Sequence, residues 1–219
     1  MMKLFNRSCQ IFLLVACLSG KAQTVAFTDY LLKDVGYVSI PNNLELQSGN
    51  YKKFAEVFQK EIGKKFGYEI SSNRVVFQQK GQNNFDKGST YARVMLETTY
   101  GNVGDYMINK DLKNLTATDI STFSSVLKEQ NAKSLKAVGI KIIQWYGVSV
   151  TNINGSFCIK WSYLRQLKDN PPVYVESYQF HNNDKLHSLT LSYRKNDELV
   201  WKPLYQKLLA SFTLTVIKK

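Results

Sequence analysis

Cysteine and histidine are scarce in this chain of 219 residues, and their scarcity excludes several kinds of functional site. The sequence holds three cysteines, Cys9, Cys17 and Cys158, and two histidines, His181 and His187. No CxxC pair and no cluster of cysteine with histidine occurs, so we expect no zinc site, no other metal and no cofactor. Cys9 and Cys17 lie in a segment that we expect to be processed, and a single remaining cysteine would exclude a disulfide within the chain.

Catalytic motifs are missing as well. The sequence contains no HExxH, GxSxG, Walker loop or GxGxxG. Cys158 lies in an apolar run, which predicts a buried and unreactive thiol. His187 shares the alternation of Leu189 and Leu191, which predicts a packed, hydrogen-bonded core histidine, whereas His181 borders a turn and is expected to be solvated.

Long hydrophobic runs are absent after the first twenty residues, so we expect no transmembrane helix in the mature chain. The first residues have the order of a secretory signal: the cationic stretch Met1–Arg7, the apolar stretch Ile11–Leu18 and then small residues. Gly20 and Ala22 stand at the first and third positions before a cut after Ala22. We therefore predict a signal peptide over residues 1–22 and export to the periplasm or beyond.

A second interpretation of the same segment stays open. Leu14-Val15-Ala16-Cys17 resembles a lipoprotein lipobox, although the hydrophobic stretch before Cys17 is then rather short. In that case Cys17 would be kept, carry lipid and anchor the protein to a membrane face.

Acidic residues are fewer than basic ones: 17 Asp and Glu stand against 29 Lys and Arg, a formal charge of +12. Loss of Lys3, Arg7 and Lys21 with the signal would leave 26 basic residues and a charge of +9. Such a charge favours anionic glycans or lipid headgroups as partners, or simply keeps the protein in solution. Export makes nucleic acid an unexpected partner.

Proline and glycine number only 4 and 12, and no linker or repeat divides the chain, so residues 23–219 are predicted to form a single α+β domain. Strands are predicted at 36–41, 73–79, 91–100 and 212–216. The stretch 139–194 is predicted to be an antiparallel meander of three strands, with turns at Asn154-Gly155 and Asn182-Asn183-Asp184.

Three helices complete the predicted elements. A helix is expected from Asn50, with a buried apolar stripe of Phe54, Val57, Phe58, Ile62 and Phe66. A second is capped by Thr116 or Thr118, and Pro203 suits the first position of a short third helix. The sum is a mostly antiparallel sheet with helices packed on it.

Two sequence segments carry a resemblance to a known fold. Tyr37–Pro41 near the start and Trp201–Phe212 near the end, with the antiparallel middle between them, resemble the PsbP-like, or Mog-like, α/β/α sandwich over roughly residues 35–216. Proteins of that fold are mainly binding or assembly factors without a shared catalytic set. The resemblance therefore implies a non-enzymatic role and assigns no functional residue.

Aromatic residues are abundant in the meander and are the binding candidates. Rings of this kind stack on sugars or anchor a protein partner, although a sheet also uses them to pack against helices. Our first hypothesis is a non-enzymatic envelope binding or assembly protein, the second a glycan- or lipid-binding protein, and the third a hydrolase with dispersed carboxylates such as Glu97 and Glu176. The candidate binding residues are Trp145, Tyr146, Tyr174 and Tyr178.

Overall fold

The structure is a computed structural model that describes residues 25–66, 74–86, 88 and 90–214, with the backbone alone for residues 58, 59 and 62–66. The predicted signal peptide, the lipobox with Cys17 and the predicted strand residue Val216 lie outside these residues. In the part of the chain that the structure describes, we find no helix that has both the length and the apolar character needed to cross a membrane.

Ten strands and four helices form the described fold. The strands are β1 Phe27–Leu32, β2 Gly36–Pro41, β3 Leu44–Leu46, β4 Arg74–Gln79, β5 Ala92–Tyr100, β6 Ile140–Ile153, β7 Ser156–Leu167, β8 Val173–His181, β9 Lys185–Arg194 and β10 Thr213–Leu214. The helices are α1 Gly49–Phe66, α2 Asn109–Lys113, α3 Ala117–Ala137 and α4 Glu198–Ser211.

A seven-stranded antiparallel sheet in the order β3-β4-β5-β9-β8-β7-β6 is the centre of the molecule. One face packs against α4 and the small sheet β1-β2-β10, and the other face packs against α2 and α3. The predicted α+β class, with helices on both faces of a mostly antiparallel sheet, is confirmed.

The apolar core follows from strand alternation. Ala92, Val94 and Leu96 of β5 are buried on the α4 face, where they meet Trp201 and Leu208 of α4. Burial of each large apolar side chain contributes about 1.5 to 3 kcal/mol, so this side of the sheet holds most of the packing energy. A second, smaller cluster beneath α2 and α3 includes Leu112, Ile159, Trp161, Tyr163 and Val175.

The meander has four strands instead of the predicted three. Asn154 and Gly155 have positive φ angles of 49° and 88°, as a type I′ hairpin turn requires, and they divide residues 140–167 into two long strands. The predicted turn at Asn182-Asn183-Asp184 is confirmed between β8 and β9.

The ends of two helices correct or complete the prediction. Thr116 caps α3, because its side chain accepts the backbone N–H of Asp119 at 3.2 Å. Pro203 does not begin its helix, since α4 starts at Glu198 and Pro203 lies inside it. Pro203 has no N–H, so the carbonyl group of Leu199 receives no hydrogen bond from it. Leu199 is 92% exposed, so water can reach this turn.

The apolar stripe predicted for α1 is not buried where its side chains are described. Phe54 and Val57 are 60% and 61% exposed. The helix packs against the single turn Gln82–Asn84 through ring contacts of Tyr51 and Phe54 with Phe85, whose centroids lie 5.4 and 6.2 Å away. The side chains of Phe58, Ile62 and Phe66 are outside the described set.

Candidate functional site

A cavity of about 520 Å³ lies between α4 and the last four strands of the sheet. Its walls come from β6, β7, β8, β9, Lys195 and most of the length of α4. Cavities of this size hold small ligands in proteins. The side chains that define its chemistry are five tyrosines, three lysines and two glutamates: Tyr146, Tyr174, Tyr178, Tyr193, Tyr205, Lys160, Lys195, Lys202, Glu176 and Glu198.

The tyrosine rings form a continuous row along the cavity. Tyr146 at the outer end is 45% exposed, and its ring centroid lies 5.9 Å from that of Tyr174. Tyr174 in turn lies 5.3 Å from Tyr193, which lies 5.8 Å from Tyr205 on α4. Tilted aromatic pairs at these distances stabilise one another, so the row is held in place before any ligand arrives.

Tyr146 lies in a β-bulge of β6. The β6–β7 register pairs Trp145 with Tyr163 and Gly147 with Ser162, which leaves Tyr146 as an extra residue without a partner across the ladder. Gly147 has a φ of 97°, a conformation that side chains rarely adopt. Tyr146 and Gly147 therefore both stand opposite Ser162, and the ring of Tyr146 lines the cavity together with Ser162.

The charged groups of the cavity are all paired. Lys160 Nζ lies 2.5 Å from Glu176 Oε1. Glu198 pairs with two lysines: its Oε2 lies 2.5 Å from Lys195 Nζ, and its Oε1 lies 3.2 Å from Lys202 Nζ. The pairs are half-exposed, so each contributes little to stability. Their effect is to fix donors and acceptors around the rings.

Two of the lysines also lie over tyrosine faces. The Nζ atom of Lys160 is 5.6 Å from the ring centroid of Tyr178, and that of Lys195 is 5.8 Å from the ring of Tyr174. A cation at this distance is attracted by the ring quadrupole. The contacts add to the fixed orientation of both lysines.

Burial and hydrogen bonds shift the pKa of three side chains in the cavity. Hydrogen bonds from Lys195 and Lys202 hold the pKa of Glu198 below its ordinary value, so this carboxylate stays ionised at neutral pH. Burial raises the pKa of Tyr174 to about 12 and also raises that of Tyr193. Both phenols therefore stay neutral and keep their O–H donors.

Three of the four candidate residues from the sequence meet in this cavity. Tyr146 and Tyr174 line its mouth and middle, while Tyr178 is 2% exposed and forms part of its floor. Trp145 lies on the other face of the sheet, where its ring stacks on Tyr163 at 5.9 Å and its Nε1–H donates to Ser124 of α3 at 3.1 Å. The binding role of all four stays a prediction.

The two carboxylates named for a hydrolase lie on opposite faces of the sheet. Glu97 of β5 pairs with Ser188 of β9, which pairs with Gln179 of β8, so these three side chains share one face of the sheet. Glu176 lies three residues before Gln179 on β8, so its side chain lies on the other face, towards α4. Glu97 is instead paired with Arg74 at 3.0 Å. These two groups do not converge on one site.

Cys158 and His187 lie where the sequence predicted them. Cys158 is fully buried, and burial raises the pKa of its thiol to about 12. His187 is 3% exposed and its Nδ1 lies 2.9 Å from the Thr98 hydroxyl. In the described residues no three His, Cys, Asp or Glu side chains come together as a metal site would need.

The expectation for His181 is wrong. Both of its ring nitrogens are buried, and neither has a hydrogen-bond partner among the described residues. The ring packs edge-on to Tyr106 at 6.1 Å, because the segment before α2 covers the turn that His181 borders. This burial lowers its pKa to about 4.

Sequence reasoning missed the charged half of the cavity. Lys195, Glu198 and Lys202 have the i, i+3 and i, i+4 spacing of neighbours on one helix face, which was a usable signal once α4 is known to begin at Glu198. Lys160 could be found only from register, because it lies opposite Tyr178 across the β7–β8 ladder.

Comparisons with known proteins establish the fold. No family model matches the sequence, and no curated protein matches it. Among solved structures, the chain is similar to cyanobacterial PsbP (CyanoP) from Synechocystis sp. PCC 6803, with a TM-score of 0.53 and 14% identity over 89% of this chain and 96% of that one. The predicted PsbP-like fold is confirmed, and at this identity the likeness concerns the fold alone.

Two further solved structures are similar at lower TM-scores. A protein of unknown function from Pseudomonas aeruginosa, PA94, has a TM-score of 0.43 and 14% identity over 88% of this chain and 97% of that one. A protein from Bacteroides thetaiotaomicron has a TM-score of 0.42 and 10% identity over 84% of this chain and 45% of that one.

Proposed function

We propose that this chain with a PsbP-like fold is a non-enzymatic, exported cell-envelope binding protein, and that it binds a saccharide in the tyrosine-lined cavity beneath α4. The observation that carries the proposal is the row of four tyrosine rings bordered by lysine–glutamate pairs. The PsbP-like fold, whose other proteins are mainly binding or assembly factors, agrees with it.

The lining suits the two chemical aspects of a sugar. The C–H face of a sugar packs on aromatic rings, and the hydroxyl groups of a sugar need both hydrogen-bond donors and acceptors. Tyrosine phenols and lysines donate, while Glu176 and Glu198 accept. An acyl chain would leave these charged groups unsolvated, so the polar lining favours a sugar over a lipid tail.

The charge balance favours a neutral saccharide. Each of the three lysines already has a carboxylate partner within 4 Å, so an anionic ligand would have to displace Glu176 or Glu198. Glu198 is unsuited to act as the general acid of glycoside hydrolysis, because that role needs a raised pKa and the pKa of Glu198 is lowered.

Tyr146 gives the most direct test because it is exposed at the mouth of the cavity. Saturation-transfer NMR with maltose, cellobiose and N,N′-diacetylchitobiose would measure binding to the wild type and to Tyr146→Ala. We expect at least one sugar to bind, with a loss of roughly tenfold in affinity in the variant, equivalent to about 1.4 kcal/mol. Tyr100→Ala is the matched control, since Tyr100 is 48% exposed and lies outside the cavity.

Two results would contradict the proposal. One is the absence of saturation transfer from all three sugars and from polymeric envelope glycan. The other is equal loss of binding in Tyr146→Ala and Tyr100→Ala, which would place the sugar elsewhere on the surface.

A second candidate function, assembly with an envelope protein, is supported by the exposed rings near α1. Phe54, Val57 and Phe85 are each more than half exposed and lie on neighbouring elements. Exposed apolar surface of this kind is common where proteins meet one another.

Isolation of the protein from gently solubilised envelope, at low and high salt, would test assembly when combined with variants. We expect a stoichiometric protein partner to be lost in Phe54→Glu and kept in Leu199→Glu, a control at a residue that is 92% exposed on α4. A partner-free monomer in the wild type, or equal loss in both variants, would contradict this candidate.

The export part of the proposal has its own measurement. Mass spectrometry of the protein from its native host should find Gln23 as the first residue if the signal is cut after Ala22. Radiolabelled fatty acid on the wild type that is lost in Cys17→Ser would instead establish the lipoprotein. A full-length chain that keeps Met1 in the cytoplasm would contradict both.

A further inference from the structure

A second cavity, of about 300 Å³, lies on the face of the sheet opposite the tyrosine row. Its floor is formed by side chains of β5, β7, β8 and β9, and Asn131 of α3 forms one wall. The lining contains two arginines, Arg93 and Arg165, and no carboxylate. We propose that this cavity is a binding site for a phosphate-class oxyanion held between Arg93 and Arg165.

The two guanidinium groups converge on one tyrosine. Arg165 Nη2 donates to the Tyr91 hydroxyl at 3.4 Å, and the guanidinium carbon of Arg93 lies 5.7 Å from the centre of the Tyr91 ring. In the described residues no carboxylate oxygen lies within 4 Å of a nitrogen of either arginine. The site therefore has two positive charges without a counter-ion among the described residues.

Buried donors without acceptors point to the same place. Trp161 is only 7% exposed, and its indole Nε1–H is buried without a hydrogen-bond partner among the described residues. The Nε of Arg93 is likewise buried and unpartnered. Buried N–H groups are nearly always satisfied in proteins, so two orphaned donors lining one cavity indicate a missing acceptor.

Hydroxyl groups complete the donor set. The lining includes Ser177, Ser188, Thr190 and Ser192, and the first and third of these are 3.2 Å apart. Each hydroxyl can rotate to donate toward an oxyanion. Arginine forks bind tetrahedral oxyanions through paired hydrogen bonds, which a single ammonium group cannot do.

The potential inside the cavity is visible in Tyr91. Burial alone would raise the pKa of its phenol, yet the nearby charges of Arg93 and Arg165 bring that pKa below its ordinary value. A phenol that is easier to ionise despite burial marks a positive environment, and a bound anion would be stabilised by the same charges.

The three tryptophans give a direct readout. Trp145 Nε1–H donates to Ser124 and Trp201 Nε1–H donates to Thr90, whereas that of Trp161 is unpartnered. Three indole signals are therefore expected in a ¹H–¹⁵N spectrum of the whole protein. Titration with inorganic phosphate should shift the Trp161 signal saturably and leave the other two in place.

Charge variants separate this site from general attraction to a basic protein. We expect Arg93→Gln and Arg165→Gln each to weaken phosphate binding at least tenfold, and either one suffices if the other does not fold. Lys207→Gln is the matched control, because it removes one exposed positive charge from α4 on the opposite face. Its affinity for phosphate should equal that of the wild type.

The source of the phosphate group follows from two further titrations. Glycerol 3-phosphate tests a soluble monoester, and phosphatidylcholine vesicles containing phosphatidic acid test a lipid headgroup. The site is supported if either probe binds the wild type and does not bind Arg93→Gln. A Trp161 signal that does not move with any of the three probes at roughly millimolar concentration would overturn the proposal. So would equal weakening in Lys207→Gln. Neither result bears on saccharide binding, which uses the other face.

Discussion

His187 is a buried histidine whose protonation the fold opposes. Burial is the main cause that lowers its pKa from 6.5 to about 4, with a smaller contribution from Lys185, while Asp184 and Asp34 act in the other direction. The unfolded chain therefore binds a proton between pH 6.5 and 4 that the folded chain does not. The contribution of His187 to the free energy of unfolding is therefore fully present above about pH 6.5 and is lost as the pH falls towards 4.

Replacement of His187 by glutamine should make stability less dependent on pH. The free energy of unfolding of the wild type should fall by roughly 1.4 kcal/mol per pH unit for this histidine below pH 6.5. Urea unfolding at pH 7 and pH 5 should show a loss that is about 2 kcal/mol smaller in His187→Gln. Equal losses in the two proteins would mean that His187 titrates normally in the fold.

Single residues were predictable where alternation decides their environment. Cys158 and His187 share a face with large apolar neighbours, and both are buried as predicted. His181 differs because a distant segment, around Tyr106, covers it. No local pattern contains that contact. The role of Trp161 in an anion cavity was likewise invisible, because its partners come from three other strands and α3.

The β6 bulge lies at the mouth of the tyrosine cavity, and a deletion can test its extra residue. Removal of Gly147 would leave Trp145 opposite Tyr163, Tyr146 opposite Ser162 and the following residues in their present register. We therefore expect the deletion variant to unfold cooperatively, within about 1 kcal/mol of the wild type. Urea denaturation followed by circular dichroism would measure this.

Deletion of Ser149 is the matched control. This residue pairs regularly with Lys160, so its loss moves at least Val148 by one position and exchanges the face of its side chain. Val148 would leave its packing against the cluster of Trp161 and Tyr163, and we expect a loss of roughly 1.5 kcal/mol or more. Equal stability of the two deletions would show that the bulge register is not what holds β6.

Elements were predictable where the turn chemistry was explicit. Asn154-Gly155 located its hairpin because only positive φ angles fit a type I′ turn. The start of α4 was predicted wrongly from Pro203. Proline favours the first position of a helix, but it is also tolerated inside α4 because the turn at Leu199 is exposed. Gly147 inside a strand was a signal for the bulge that went unused.

Among the described side chains, those of α1 are less buried than those of α4. α4 buries Trp201, Leu204, Tyr205 and Leu208, whereas Phe54 and Val57 of α1 are mostly exposed. Local opening requires less free energy where fewer apolar contacts are broken. Hydrogen exchange followed by mass spectrometry should therefore find faster exchange in α1 than in α4.

Phe85→Ala sharpens this prediction, because Phe85 supplies the ring contacts to Tyr51 and Phe54. Exchange should accelerate in α1 and stay unchanged in α4. Val103→Ala, at a residue that is 77% exposed, should change neither. Protection of α1 equal to that of α4 would contradict the idea that it is loosely held.

At the scale of the molecule, the sandwich was predictable, whereas the second cavity and the charged half of the tyrosine cavity were not. The PsbP-like fold with helices on both faces could be predicted from two features of the sequence. These were the alternation of apolar and polar residues in the strands and the two segments Tyr37–Pro41 and Trp201–Phe212. The cavities depend on which strands are neighbours, and the order β5-β9-β8-β7 joins segments about 100 residues apart. Burial was predicted wrongly for Phe54 and Val57 of the α1 stripe, because an amphipathic pattern does not show which surface will cover it.

β6 also ends the seven-stranded sheet, and in the described residues it pairs with β7 alone. An edge of 14 residues is a template onto which a strand of another molecule could add, which is how many β-sheet proteins aggregate. The irregularities at Ile142–Gln144 and Trp145–Gly147 interrupt the outward row of backbone groups and leave only the stretch from Gly147 to Ile153 straight. The bulge beside Tyr146 thus also shortens the regular edge with which a strand of another molecule could pair.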